Sequence, residues 1–142
     1  MSAGRFNRRE FVAVCATGLG ILLAGCVSLV THPVPVVGGR VRLALASFPE
    51  LSQPDGAIKI QPDAESDPIY VLAIGATAFA AVSPICTHRG CTVDVHGPRL
   101  VCPCHGSTYD RNGNVLRGPA ERSLTRYTVT REGNELLIDL GS

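Results

Sequence analysis

The stretches CTHRGC (86–91) and CPCHGS (102–107) hold four of the chain's six cysteines and two of its four histidines. Thiolates and neutral imidazoles are ligands for zinc and for iron. Cys86, His88, Cys102 and His105 are enough donors for one tetrahedral zinc by count. Their spacing argues against it, because structural zinc pairs usually hold two to four residues between ligands, CxH holds one, and Cys91 and Cys104 go unused. An all-cysteine iron-sulfur site would occupy the sulfur and leave two histidines idle. A third arrangement uses every donor type: Cys86 and Cys102 on one iron, His88 and His105 on the other, with two inorganic sulfides between them.

Such loops must be carried by a scaffold, and the composition bounds it. The chain has 142 residues, no tryptophan, 5% aromatics and many aliphatic side chains, which predicts one domain with an aliphatic core. The runs VRLALA, AIKI, IYVLAIG and TAFAAVS, and the pair LTRYTVT and NELLIDL around REGN, read as short strands, the last pair as a hairpin. Helical periodicity is not sustained beyond residue 30, and eight prolines from Pro49 onward would interrupt it. The expected fold is therefore all-β, a small antiparallel sandwich over residues 41–142 with its site built on loops. His96 and Arg99 belong to an exposed hairpin and carry no assigned role.

The formal net charge is +1, and the basic excess sits at the front, in Arg5, Arg8 and Arg9. The remainder is close to neutral, which gives no electrostatic case for nucleic acid. Residues 1–25 have the layout of an export signal or membrane anchor: a basic start, an uncharged run from Phe11, and a cysteine. Arg8 and Arg9 resemble the twin-arginine signal of bacteria. Leu23 to Cys26 resembles the lipobox of bacterial lipoproteins, which makes Cys26 the expected lipidation site; an uncleaved helix is the alternative, since residues 11–30 are an uncharged run of twenty. Residues 26–40, with THPVPVVGGR, read as an extended tether ending in a turn, with His32 solvated. The domain is expected on the periplasmic side, tethered to a membrane.

CTHRGC followed by CPCHGS resembles the Rieske 2Fe-2S signature, CxHxGC with CxCHGS, in the form found in iron-sulfur subunits of cytochrome bc and bf complexes. The similarity continues through YDRNGNVLRGPAERSL to the end of the chain. It implies a Rieske-type sandwich with a cluster-binding subdomain and one 2Fe-2S cluster held by Cys86, His88, Cys102 and His105. It also implies a disulfide between Cys91 and Cys104, which a compartment outside the cytoplasm would preserve. Ser107 and Tyr109 take the places of hydroxyls that hydrogen-bond to a cluster sulfur and a cysteine ligand, raising the potential. Gly118 and Pro119 fall in a third loop that covers the cluster. Replacing thiolates by imidazoles lowers the negative charge on the cluster and links its potential to pH.

One departure stands out. The bc and bf proteins usually carry an apolar residue where this chain has Arg89, on a surface that docks at a quinol pocket. The expected function is accordingly electron transfer to a periplasmic acceptor such as a c-type cytochrome, as a small subunit of a periplasmic oxidase or dehydrogenase or as a freestanding carrier. The alternatives are the iron-sulfur subunit of a quinol-oxidising cytochrome complex and a structural zinc domain. No nucleophile with a base, second metal site or phosphate loop points to an enzyme acting alone.

Overall fold

The computed structural model describes residues 28–141, so the expectations for residues 1–25 and for Cys26 fall outside the described residues. In chain order the strands are β1 (Thr31–Val34), β2 (Val36–Val37), β3 (Arg40–Ala44), β4 (Ala57–Pro62), β5 (Ile69–Ala73), β6 (Phe79–Val82), β7 (Asp94–His96), β8 (Arg99–Val101), β9 (Thr108–Asp110), β10 (Val115–Arg117), β11 (Arg126–Glu132) and β12 (Glu135–Asp139). Two short 3-10 turns, Leu45–Ser47 and Pro49–Ser52, are the helical content among the described residues.

Eight strands form one sheet in the order β1-β4-β5-β6-β11-β12-β3-β2, and four form a smaller sheet in the order β10-β9-β8-β7. Laid flat, eight strands would span about 34 Å. The two outer strands of the large sheet, β1 and β2, are joined by Pro35 alone, so the sheet must curl back on itself. The all-β expectation holds, with one parallel pair, β1 beside β4, among antiparallel neighbours.

The expected tether is corrected over residues 31–37. Thr31 to Val34 pair with Lys59 to Pro62, and Val36 and Val37 pair with Val41 and Arg40. Prolines are tolerated here because both strands lie at sheet edges, where a missing N–H costs no ladder bond. Asp63 stitches the step between them, its carboxylate accepting the Val36 N–H at 2.9 Å while its own N–H reaches the Val34 carbonyl at 3.1 Å. Nor is His32 solvated: it is half-buried, with its ring edge-to-face on Phe48, centroids 5.3 Å apart.

There are two cores, and β5 is the wall between them. Its side chains alternate, Ile69 and Val71 entering a core with Val41, Leu43, Ile60 and Ile138, while Tyr70 and Leu72 enter a second with Val93, Leu100, Tyr109 and Leu124. A strand covered on both faces reads as an unbroken apolar run, which explains IYVLA. The second core contains the Cys86 and Cys102 side chains, so the cluster loops share the hydrophobic core of the small sheet.

Arg111, just after β9, ties the two sheets together. It is buried, and donates from Nε to the Ala73 carbonyl at 3.0 Å and from its two terminal nitrogens to the carbonyls of Gly97 and Gly56. These acceptors lie at the end of β5, in the β7–β8 turn and just before β4. A Cβ on Gly56 would run into the Glu50 carbonyl oxygen, so only glycine lets the chain pass this close. Burial lowers the Arg111 pKa, partly offset by nearby Asp55.

Candidate functional site

The two cysteine-histidine loops leave the ends of the small sheet. Residues 86–91 arrive from β6 and enter β7, held by an Ile85–Thr92 bridge, and residues 102–107 connect β8 to β9. In the first, the Cys86 N–H donates to the Cys91 carbonyl at 2.8 Å and the Gly90 N–H to the Cys86 carbonyl at 2.9 Å. In the second, the Cys102 N–H donates to the Ser107 carbonyl at 2.8 Å and the Gly106 N–H to the Cys102 carbonyl at 3.0 Å. Gly90 and Gly106 have φ of 78° and 79°, a left-handed turn that glycine adopts without strain.

Across this frame the expected residues come together. Cys91 and Cys104 form a disulfide that joins the loops. Cys86 and Cys102 remain free thiols, 2% exposed each, and the His88 and His105 rings stand perpendicular with centroids 4.9 Å apart. The Cys102 sulfur lies within 4.8 Å of both disulfide sulfurs, but two of those three atoms are bonded to one another, which rules out a three-thiolate metal site there.

Tyr109 and Ser107 lie beneath the loops, fully buried. The Tyr109 hydroxyl is 3.3 Å from the Cys86 sulfur, accepts the Thr87 N–H at 3.3 Å and lies 3.1 Å from the Thr87 hydroxyl. Because Thr87 gives its own hydroxyl proton to the Arg122 carbonyl at 2.6 Å, the single Tyr109 proton has two acceptors to choose between. An anionic sulfur is the stronger one. Ser107 accepts the Ala120 N–H at 3.0 Å, which fastens the third loop, with its cis Gly118–Pro119 peptide, over the site. Its proton remains available to Cys86.

The electrostatics differ between the two thiols. Burial pushes the Cys86 pKa up, but hydrogen bonds from Tyr109, the His88 N–H, Cys102 and Ser107 outweigh it and the net shift is downward. Burial raises the Cys102 pKa, and its hydrogen bond to Cys86 adds to this against the opposing N–H groups of Cys104 and His105. Tyr109 is raised by burial and then by its bond to Cys86.

This donor set fits an iron-sulfur group. The Nδ1 atom of His88 is buried and has no hydrogen-bond partner, a costly state for a polar atom unless something further binds it. Two reduced thiols persist beside an oxidised pair, and main-chain N–H groups point at their sulfurs, as an anionic sulfur site requires. The sequence did not flag Thr87 or Arg111; a threonine between ligand types and an arginine in a turn carry no distinguishing spacing. His32, His96 and Arg99 lie away from the loops, on β1, β7 and β8.

Residues 50–128 match the Rieske [2Fe-2S] domain family. The cytochrome b6-f complex iron-sulfur subunit of Parasynechococcus marenigrum (strain WH8102) is 36% identical, with 93% of this chain and 84% of that protein covered. The subunit of the same name from Synechococcus sp. (strain JA-3-3Ab) is 31% identical over 92% and 85%. Among solved structures, the cyanobacterial plasma membrane Rieske protein PetC3 from Synechocystis PCC 6803 shares 37% identity and a TM-score of 0.52, covering 58% of this chain and 85% of its own. A chain from the complex of oxygenase and ferredoxin in carbazole 1,9a-dioxygenase, at 21% identity and TM-score 0.55 over 70% and 93%, shares the fold. With a loop pair built for iron and sulfide on a two-core β scaffold, this chain belongs to the Rieske [2Fe-2S] domain family and is an electron carrier with a 2Fe-2S cluster as its cofactor.

Proposed function

We propose that this chain is exported, is held at a membrane, and carries single electrons from a donor outside the cytoplasm to an acceptor such as a c-type cytochrome. The observation that carries the reading is the convergence of Cys86, Cys102 and the perpendicular His88–His105 pair, with Nδ1 of His88 buried and unpartnered. In this reading the two cysteines hold one iron and the two histidines the other. When bound, the 2Fe-2S cluster supplies one-electron redox chemistry.

The chain's own residues set the conditions. Tyr109 and Ser107 donate toward the Cys86 sulfur and favour its more negative state. The second core keeps water from the buried face of both thiols. His105 is exposed and offers its ring edge to a partner, while His88 is half-buried. Nδ1 of His88, buried and without a hydrogen-bond partner, is the atom that would hold the iron. Residues 1–25 act as the twin-arginine signal, a route suited to a protein that acquires its cluster before export, and Cys26 carries the lipid. Replacing Cys26 by Ala is then expected to leave an uncut precursor; unchanged processing and attachment would sink the lipid assignment.

Chemical analysis for iron and acid-labile sulfide tests the ligand set. The expected result is two of each per chain in the wild type and loss of both in His88→Ala and His105→Ala. Zinc without sulfide would overturn the reading. The likeness to cytochrome b6-f subunits over 93% of the chain favours a second reading, the iron-sulfur subunit of a quinol-oxidising cytochrome complex. Arg89 separates the two: Arg89→Leu should raise quinol turnover under the second reading and leave quinol turnover unchanged under the first.

A further inference from the structure

The charged side chains are distributed unevenly over the surface. Residues 28–141 carry ten basic and eleven acidic side chains, so the body is close to neutral. On the large sheet Arg40 pairs with Asp139 at 3.3 Å and Arg42 with Glu135, the ion pairs present among the described residues, while Arg126 and Arg131 on β11 have no carboxylate partner there. Three more unpaired arginines gather at the cluster end. Arg89 follows His88 directly, Arg117 closes β10 beside Gly118 and Pro119, and Arg122 sits where its carbonyl accepts the Thr87 hydroxyl. All three are exposed, and none has a carboxylate partner among the described residues.

Carboxylates that could neutralise them are few. Glu121 is exposed on the same loop. Asp110 spends its carboxylate on Asn112 and Asn114 in the turn after β9, and Asp94 lies beside Tyr70. Exposed Leu116, Pro119 and Pro103 lie on the same loops and strand, giving the end a mixed apolar and arginine character. Unpaired arginines beside apolar side chains are what protein interfaces favour, and a single-sign rim steers an oppositely charged partner.

We propose that the redox partner of this chain is a protein that docks over His105 and the three loops with a carboxylate-rich surface, received by Arg89, Arg117 and Arg122. The assignment rests on the reading of these loops as the electron-exchange site. It accounts for Arg89 as a charge retained for recognition at a position where an apolar residue would suit a quinol pocket.

The test uses the full chain, loaded with its cluster, in neutral detergent. The reduced protein is mixed with ferricyanide, an anion that takes one electron to become ferrocyanide, and with tris(phenanthroline)cobalt(III), a cation reduced by one electron to cobalt(II). Net charge near zero predicts almost no dependence on ionic strength for either. The basic end predicts a ferricyanide rate that falls steeply with added salt and a cobalt rate that rises. At low ionic strength the triple variant R89Q/R117Q/R122Q should lose about tenfold of the ferricyanide rate, and R40Q/R42Q should lose none. Glutamine at residue 122 leaves the carbonyl bond to Thr87 in place, and single variants at the same positions should each show part of the loss.

A second readout needs no electron transfer. Fluorescein-labelled decaglutamate, followed by anisotropy, should bind the oxidised wild type about tenfold more tightly than the triple variant at low salt. Equal binding, or a ferricyanide rate that ignores both salt and substitution, overturns the proposal. Protection of these arginines from phenylglyoxal by phosphatidylglycerol vesicles but not by decaglutamate would assign the face to a membrane and also overturn it. Failure of the cluster reading would look different: no iron, no sulfide and no exchange with either oxidant, with decaglutamate binding unchanged.

Discussion

In loop 86–91 the leading cysteine N–H reaches the carbonyl five residues on, and the glycine N–H returns to the cysteine carbonyl; loop 102–107 repeats both bonds, with a left-handed glycine at the same place. The side chains hung on this shared frame are exchanged. Two positions after the leading cysteine the first loop has His88, with its Nδ1 buried, whereas the second has Cys104, spent in the disulfide, and brings in His105 one residue later, exposed. At the closing position stands Cys91 in one and Ser107 in the other. One backbone solution thus serves twice, and moving the histidine by a single residue gives the pair one sheltered ring and one available to a partner.

The disulfide is the bond that makes two loops one site, so removing it should have the largest effect. Its partners are 13 residues apart in sequence, and the closed loop restricts the unfolded chain by about 3 kcal/mol. Cys91→Ser with Cys104→Ser should lower the denaturant midpoint accordingly, with the cluster bleaching early in the transition. An unchanged midpoint would mean that the shared core alone holds the loops together.

The glycines test whether the frames are equivalent. Neither Gly90 nor Gly106 has an atom within 4 Å of where a Cβ would sit, so alanine meets only the left-handed backbone. Both Gly90→Ala and Gly106→Ala should cost about 1–2 kcal/mol, and similarly. A large inequality in chemical denaturation would break the comparison.

Tyr109 supports the first loop alone. Tyr109→Phe should lower the reduction potential by about 60 mV, equivalent to roughly 1.4 kcal/mol for one electron, with iron content intact. Ser107→Ala should lower it by roughly half as much, since that hydroxyl also serves Ala120. Potentials that do not move in either variant would remove the asymmetry in sulfur bonding.

The smallest effect is alkaline. Because the native Tyr109 pKa lies above its ordinary 10.0, the unfolded chain gives up this proton first. Its contribution is complete below about pH 10 and is lost as pH rises above that toward the native value. Tyr109→Phe should flatten the stability curve there, and an equally steep fall in the variant would place the cause elsewhere, with Tyr70 next in line.

Much of this was legible in the sequence where one residue type carries one meaning. IYVLA, AIKI and the final hairpin declare strands through apolar content and alternation, and the loop signature implied the disulfide pairing before any geometry. What escaped depends on tertiary partners. THPVPVVGG looks like a linker because prolines and glycines break ladders, yet at sheet edges half the backbone needs no ladder. Arg111 looks like a turn arginine, and its burial depends on three carbonyls brought from residues 56, 73 and 97. The common frame of the two loops lies in hydrogen bonds that CTHRGC and CPCHGS, compared letter by letter, conceal by placing histidine differently.

The pairing of β1 from Thr31 onward also limits how far the domain can stray. With lipid on Cys26, the leash runs from Cys26 to Val30, and five residues fully extended reach roughly 18 Å at most. Under the proposed lipid anchor, a carrier on so short a leash would work as a fixed post on the membrane surface, and its partners would have to come to it.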